Sequence, residues 1–194
     1  YYHRESVVIH PPVDTRRYTL APDHDDYFLI ISRLIPYKRI DLAVQAFNEL
    51  GAPLIVIGDG RDRARLQAQA KANIEFLGRV SDEELKRYLA RCRAFIFPGL
   101  DDFGIAPVEA QAAGRPVIAY AGGGALDTVV EGVTGAFFYE QTPQALLKAV
   151  RDFDDARYDP VVIRQNAERF DTEVFKRQLA RFIEERYAEH RLAR

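Results

Sequence analysis

Residues 94–124, AFIFPGLDDFGIAPVEAQAAGRPVIAYAGGG, constrain the fold more than any other part of the chain. Ala94 to Phe97 is an apolar run closed by Pro98-Gly99, the pattern of a parallel strand buried on both faces and ended by a turn. A loop carrying Asp101 and Asp102 follows. Then come Phe103-Gly104-Ile105-Ala106 and a helix expected to begin with Pro107 near its first position. Gly114-Arg115-Pro116 ends that helix, Val117 to Ala119 is a second strand, and Gly122-Gly123-Gly124 is a second loop. Two strand–loop–helix units side by side place both loops at the carboxyl ends of their strands, the edge of an open parallel sheet where ligands bind.

The spacing carries chemistry. Amides at a helix start have no intrahelical partner, and the macrodipole puts partial positive charge there, which favours an anion such as phosphate. Gly104 lets backbone come close to that anion. Glu109, in the first turn, can accept from paired hydroxyls, as proteins hold a ribose. Asp101, eight residues earlier, can accept from a second polyhydroxylated group. Phosphate between two sets of hydroxyls describes a nucleotide sugar.

Elsewhere strands alternate with helices, which gives a parallel sheet covered on both faces. Tyr27 to Ile31 is a strand ending in Ser32-Arg33-Leu34-Ile35-Pro36-Tyr37-Lys38-Arg39, before a helix with Leu42, Ala43, Ala46, Phe47 and Leu50 on one side. Arg33 and Lys38 thus lie at the carboxyl edge. Pro53 to Ile57 leads to Gly58-Asp59-Gly60, a weak signal because any strand-to-helix turn can need glycine. The charged segment Arg61 to Ala72 reads as a solvated helix. Ile74 to Leu77 leads to Gly78-Arg79-Val80, and Ser81 with Glu84 forms a capping box. Ala125 to Val130 is a short helix, Ala136 to Tyr139 the last strand, and Thr142-Pro143 opens a helix through Phe153. The chain is helical from Pro160, with Val161 to Arg169 followed by a long amphipathic helix capped by Asp171 or Thr172. Val7 to Ile9 reads as a leading strand before the stiff His10-Pro11-Pro12-Val13-Asp14 connector, and residues 15–26 as a polar loop.

The acid-x7-Glu pattern in F-G-I-x-P-V-E-A, followed by G-R-P-V-I-A, resembles the E-x7-E signature of retaining glycosyltransferases with the GT-B fold, in particular glycosyltransferase family 4. Asp101 stands where that family usually has Glu. The resemblance runs over residues 7–187. It implies one half of a GT-B fold: a Rossmann-like three-layer α/β/α domain with a parallel sheet and a long C-terminal helix. Residues 1–14 would be a linker and leading strand from an N-terminal acceptor domain, 15–158 the nucleotide-sugar-binding domain, and 159–194 helices packing back toward the other domain. It assigns Arg33 and Lys38 to the donor diphosphate and Glu109 to the ribose. Asp101 would hold the sugar hydroxyls, Phe103 to Ala106 the sugar and phosphate (through the backbone at Gly104, Ile105 and Ala106), and backbone groups of Gly78, Arg79 and Val80 the base. No metal or other cofactor is implied. The wording S-R-L-x-P-Y-K-R-x-D-L-A looks most like mannosyltransferases, so GDP-mannose is the favoured donor, with a glycan or lipid-linked acceptor. A UDP-sugar donor, a GT-B nucleotide-sugar epimerase and a non-catalytic nucleotide-sugar-binding domain are the alternatives. Such a half alone would bind nucleotide and transfer little sugar.

Plain structural readings stand beside these. Arg33, Lys38, Asp101 or Asp102 can each be a solvated loop charge, and Glu109 can simply favour its own helix start by roughly 0.3–1 kcal/mol. Cys92 reads as a small apolar residue at a helix end, and His3, His10, His24 and His190 are given no role. A net charge of -2 argues against a nucleic-acid surface. No apolar run approaches the roughly 18 residues of a membrane span, so the chain is read as cytoplasmic, any peripheral contact with the inner face of the membrane running through the other domain. Opening at Tyr1 with no methionine, it reads as part of a longer polypeptide.

Overall fold

The structure, a computed structural model, describes residues 6–192. Six short strands form one sheet: β1 (Phe28–Ile31), β2 (Leu54–Ile57), β3 (Ile74–Gly78), β4 (Ala94–Phe97), β5 (Val117–Tyr120) and β6 (Gly135–Phe138). Their spatial order is β3-β2-β1-β4-β5-β6, and every pairing is parallel. Successive strands must therefore be joined by crossovers, and helices fill those crossovers. These are α1 (Ile40–Leu50), α2 (Arg63–Gln69), α3 (Asp82–Arg91), α4 (Ile105–Ala112) and α5 (Ala125–Thr128), with α6 (Pro143–Arg151), α7 (Pro160–Glu168) and α8 (Thr172–Leu192) beyond the last strand.

The strand sequences are apolar throughout because both faces are covered. Phe28 and Ile30 point into a core with Phe47 of α1, Leu66 of α2 and Leu146 of α6. Leu29 and Phe95 point the other way, into a core with Leu89 of α3, Val108 of α4 and Ala167 of α7. The three-layer Rossmann-like architecture read from the sequence is the one observed.

Local start signals act as expected. Ser81 and Glu84 form the reciprocal capping box of α3, and the Thr142 hydroxyl caps α6 with Pro143 at its first position. At α8, Asp171 is the side-chain cap, its Oδ1 accepting from Glu173 N at 2.9 Å. Cys92 closes α3 as a buried thiol, pushed up to about 12 by burial.

Four local expectations are corrected. Residues 6–12 form no strand; the first pairing is a single bridge between Val13 and Asp171. The segment 15–26 is not simply a solvated loop, because Thr15 and Tyr18 are 2% and 4% exposed around a 3-10 turn at Thr15–Arg17. Pro107 is the third residue of α4, which starts two residues earlier, so Glu109 sits in its second turn. Helix α2 is shorter than its charged segment, covering Arg63–Gln69, and buries Leu66. His3 lies outside the described residues.

Candidate functional site

The strand order reverses between β1 and β4, since the chain winds outward from β1 to β3 and then returns to β4 beside β1. In such sheets the loops at the carboxyl ends diverge at that point and leave a crevice. The loop after β1 carries Arg33 and Lys38, and the loop after β4 carries Asp101. The sequence therefore places its charged candidates on the two walls of one crevice.

Backbone packing fixes the first wall. Leu34, fully buried, donates its amide to Asp59 O at 2.9 Å and accepts from Asp62 N at 3.0 Å, which zips the β1 loop to the Gly58-Asp59-Gly60 loop. A Cβ at Gly58 would sit 1.9 Å from Ser32 O, and at Gly60 2.2 Å from Leu34 O. Those glycines therefore serve contact between two loops. Lys38 closes a 3-10 turn, and Arg39 after it has φ 54°, the left-handed region a non-glycine residue enters at a cost of about 1–2 kcal/mol.

The second wall is built the same way. Gly124 N donates to Asp101 O at 2.8 Å. A Cβ at Gly124 would lie 2.2 Å from Phe103 Cα, and one at Gly123 2.2 Å from Asp101 O. The triple glycine is thus the floor on which the acidic loop rests.

Across the crevice, the Lys38 ammonium donates to Asp101 Oδ2. Both side chains are largely enclosed, 18% and 14% exposed, so the pair is shielded more than an ordinary surface bridge. Lys38 Nζ also lies 5.2 Å from the centre of the Tyr37 ring, and the Tyr37 hydroxyl is 3.5 Å from Arg33 Nη2. Arg33 itself is exposed, as is Asp102. Arg33, Tyr37, Lys38 and Asp101 therefore form one cluster.

Helix α4 opens at Gly104 (φ 84°, ψ 83°) with no side-chain cap. Ile105, 49% exposed, and Ala106 follow as its first residues. Phe103, by contrast, turns its ring inward, stacked on His10 at 5.4 Å and edge-on to Phe170 at 5.3 Å. Its expected place on the donor is thus limited to its backbone. Half-buried Glu109 forms no hydrogen bond or ion pair with the Lys38 cluster. Its Oε1 accepts from the Tyr18 hydroxyl at 2.6 Å.

Gly78 ends β3 with φ 72°, while Arg79 is exposed and Val80 packs against the second core. The Arg63 guanidinium lies 2.9 Å from where a Gly78 Cβ would be and 3.8 Å from Asp59 Oδ2. Three residues near the site thus escape the sequence: Arg63, read as a solvated charge, Tyr18, read as part of a polar loop, and His10. Only the aromatic type of Tyr18 amid charged neighbours could have marked it.

Among the described residues, no group of three or more His, Cys, Asp or Glu side chains is placed to hold a metal ion. None of their helices is long and apolar enough to cross a membrane. A groove of about 680 Å³ runs beside β6 and α6, lined by Phe137, Tyr139, Lys148, Phe153 and Tyr158 among others, and holds none of the candidate site residues.

Residues 14–170 match the family model described as glycosyl transferases group 1. A D-rhamnosyltransferase of Pseudomonas aeruginosa is 32% identical over 133 residues, 64% of this chain and 35% of that protein. A GDP-mannose-dependent monoacylated alpha-(1-6)-phosphatidylinositol monomannoside mannosyltransferase of Corynebacterium glutamicum is 37% identical over 114 residues, 50% of this chain and 30% of its own length. This chain thus spans about a third of the curated relatives it matches. The Anabaena protein HepE, solved with UDP and glucose, superposes with a TM-score of 0.79 at 22% identity, over 92% of this chain and 56% of HepE. At that identity the likeness establishes the fold. With the family model running from the connector through α7, the chain belongs to the group 1 glycosyl transferases.

Proposed function

We propose that this chain is the donor-binding half of a retaining glycosyltransferase that moves a hexosyl group, mannose from GDP-mannose, to a glycan or lipid-linked acceptor. The observation that carries the reading is the cation at the switch point: Lys38 is held by Asp101 across the crevice between the β1 and β4 loops, with Arg33 joined through Tyr37. In the transfer, the bond between the sugar's anomeric carbon and the diphosphate oxygen breaks. The acceptor oxygen takes that carbon on the same face, and the acceptor proton passes to the leaving diphosphate. Negative charge grows on the diphosphate, and Lys38 and Arg33 are positioned to meet it without a metal. Removing one such preorganised charge typically costs on the order of 100- to 1000-fold in turnover. The free amides at the start of α4 face the sugar and phosphate, Glu109 takes the ribose, and Asp101 turns to the sugar hydroxyls once the diphosphate shares Lys38.

GDP is favoured by the relatives described as GDP-mannose-dependent mannosyltransferases. A UDP-sugar is the second reading, supported by the UDP-bound HepE structures of the same fold. A thermal-shift series with GDP, UDP, ADP and NAD separates them. A nucleotide at about 100 times its dissociation constant adds about 2.7 kcal/mol, several degrees for a domain of this size. A shift with GDP alone supports the mannosyl donor, a shift with UDP alone moves the donor to a UDP-sugar, and none with either counts against a donor site in this chain.

A further inference from the structure

Resting on the donor-site reading above, we infer that Tyr18 is a positioning residue for nucleotide recognition, its hydroxyl setting the Glu109 carboxylate to receive the ribose hydroxyls of a nucleoside diphosphate. The bond is 2.6 Å long and joins residues 91 positions apart. Tyr18 is 4% exposed and packs in the same core as Val108 and Ala112 of α4, so its ring has no freedom to follow a moving glutamate. Its backbone is fixed as well. Arg164 of α7 donates through Nη1 to Tyr18 O at 2.7 Å and to Ala112 O, at the end of α4, at 3.0 Å. One guanidinium therefore clamps the donor of the hydrogen bond and the helix that presents its acceptor.

The chemistry suits a positioning role. A carboxylate offers about four lone-pair sites, and Tyr18 occupies one on Oε1, leaving Oε2 and the second lone pair of Oε1 for a pair of hydroxyls. Glutamate has three rotatable bonds, and a charge-assisted hydrogen bond selects one arrangement before the ligand arrives. Burial, and next the bond to Glu109, push the Tyr18 hydroxyl above its ordinary value of 10, so it remains a proton donor.

The test compares binding of GDP with 2′,3′-dideoxy-GDP, and of UDP with its dideoxy analogue, by titration calorimetry on the wild-type chain, Tyr18→Phe, Glu109→Gln and the double variant. Phenylalanine keeps the buried ring and deletes only the hydroxyl; urea unfolding of each variant checks the fold. Tyr18→Phe is expected to reduce the preference for the ribonucleotide about five- to tenfold, leave dideoxy binding unchanged, and add nothing in the Glu109→Gln background. Equal weakening of ribo and dideoxy nucleotides, or an effect that adds to Glu109→Gln, would overturn the inference while leaving Glu109 on the ribose. If Glu109→Gln itself keeps the full ribose preference, or no nucleotide binds, the donor-site reading fails and takes the inference with it.

Discussion

Asp171 shows how one carboxylate can join distant parts of the chain. Its Oδ2 accepts from Thr15 Oγ1 at 2.6 Å and Thr15 N at 3.3 Å, while Oδ1 caps α8. Burial alone would raise its pKa, but the hydrogen bonds from Thr15 and Glu173 outweigh burial and hold it below the ordinary 3.8. A carboxyl group depressed on folding stabilises the protein above its unfolded value, and that contribution is lost as pH falls through the lower folded value. Asp171→Asn is therefore expected to cost about 1 kcal/mol at pH 7, as the loss of a cap and a charge-assisted bond. It should also flatten the decline in stability below pH 4, read from urea midpoints at a series of pH values. A variant whose acid limb keeps the wild-type slope would show that Asp171 is not among the linked groups. Arg115 is a second such joint: 4% exposed, it donates to the carbonyls of Ala90, Ala21 and Asp23. Its place after α4 shows in the sequence, but the three carbonyls it reaches do not.

At the level of elements, loops rather than strands decide whether the crevice forms, and their glycines divide into two kinds. Gly51, φ 77°, ends α1 with nothing within 4 Å of an added Cβ, whereas Gly58, φ 126°, would drive that Cβ to 1.9 Å from the carbonyl oxygen of Ser32. Gly51→Ala should cost only the left-handed conformation, about 1–2 kcal/mol. Gly58→Ala adds a backbone clash that no rotamer relieves and should lower the urea midpoint at least twice as far. Equal losses in the two variants would mean the loops are not docked as described. Elements of this kind were readable in advance because their causes are local: Phe28–Ile31 is a buried parallel strand and looks like one, and Ser81-x-x-Glu84 is a cap wherever it occurs. What the sequence hides is pairing at long range. Lys38 and Asp101 could each be picked out by type and position, but nothing in either segment states that they touch across 63 residues. Tyr18 was obscured because local polarity marks a solvated segment, and its burial comes from α4 and α7, which lie far along the chain.

Over the whole molecule, the sheet and its two cores end before the chain does. Helix α8, roughly 30 Å long at 1.5 Å per residue, has no buried residue among its 21. Phe175 and Phe182 are half-buried, but every residue from Ile183 to Leu192 is exposed, including Ile183 at 56% and Tyr187 at 63%. Its last turns are held by backbone bonds and by surface pairs such as Arg181–Glu185 and Arg186–Glu189. Such solvent-exposed pairs contribute little, and an isolated helix of about three turns is marginal in water. Ending the chain at Ile183 is therefore expected to change global stability by less than about 0.5 kcal/mol. In the intact chain, amides of residues 184–192 should exchange with solvent orders of magnitude faster than those of α4, whose residues Val108, Ala110 and Ala112 are completely buried. The apolar line Leu179, Ile183 and Tyr187 sets the opposing outcome. If those amides exchange as slowly as α4 and protection grows with protein concentration, the line is covered by a second copy in solution. Fast exchange at every concentration places the stable unit in the sheet, its two helical layers and the first turns of α8.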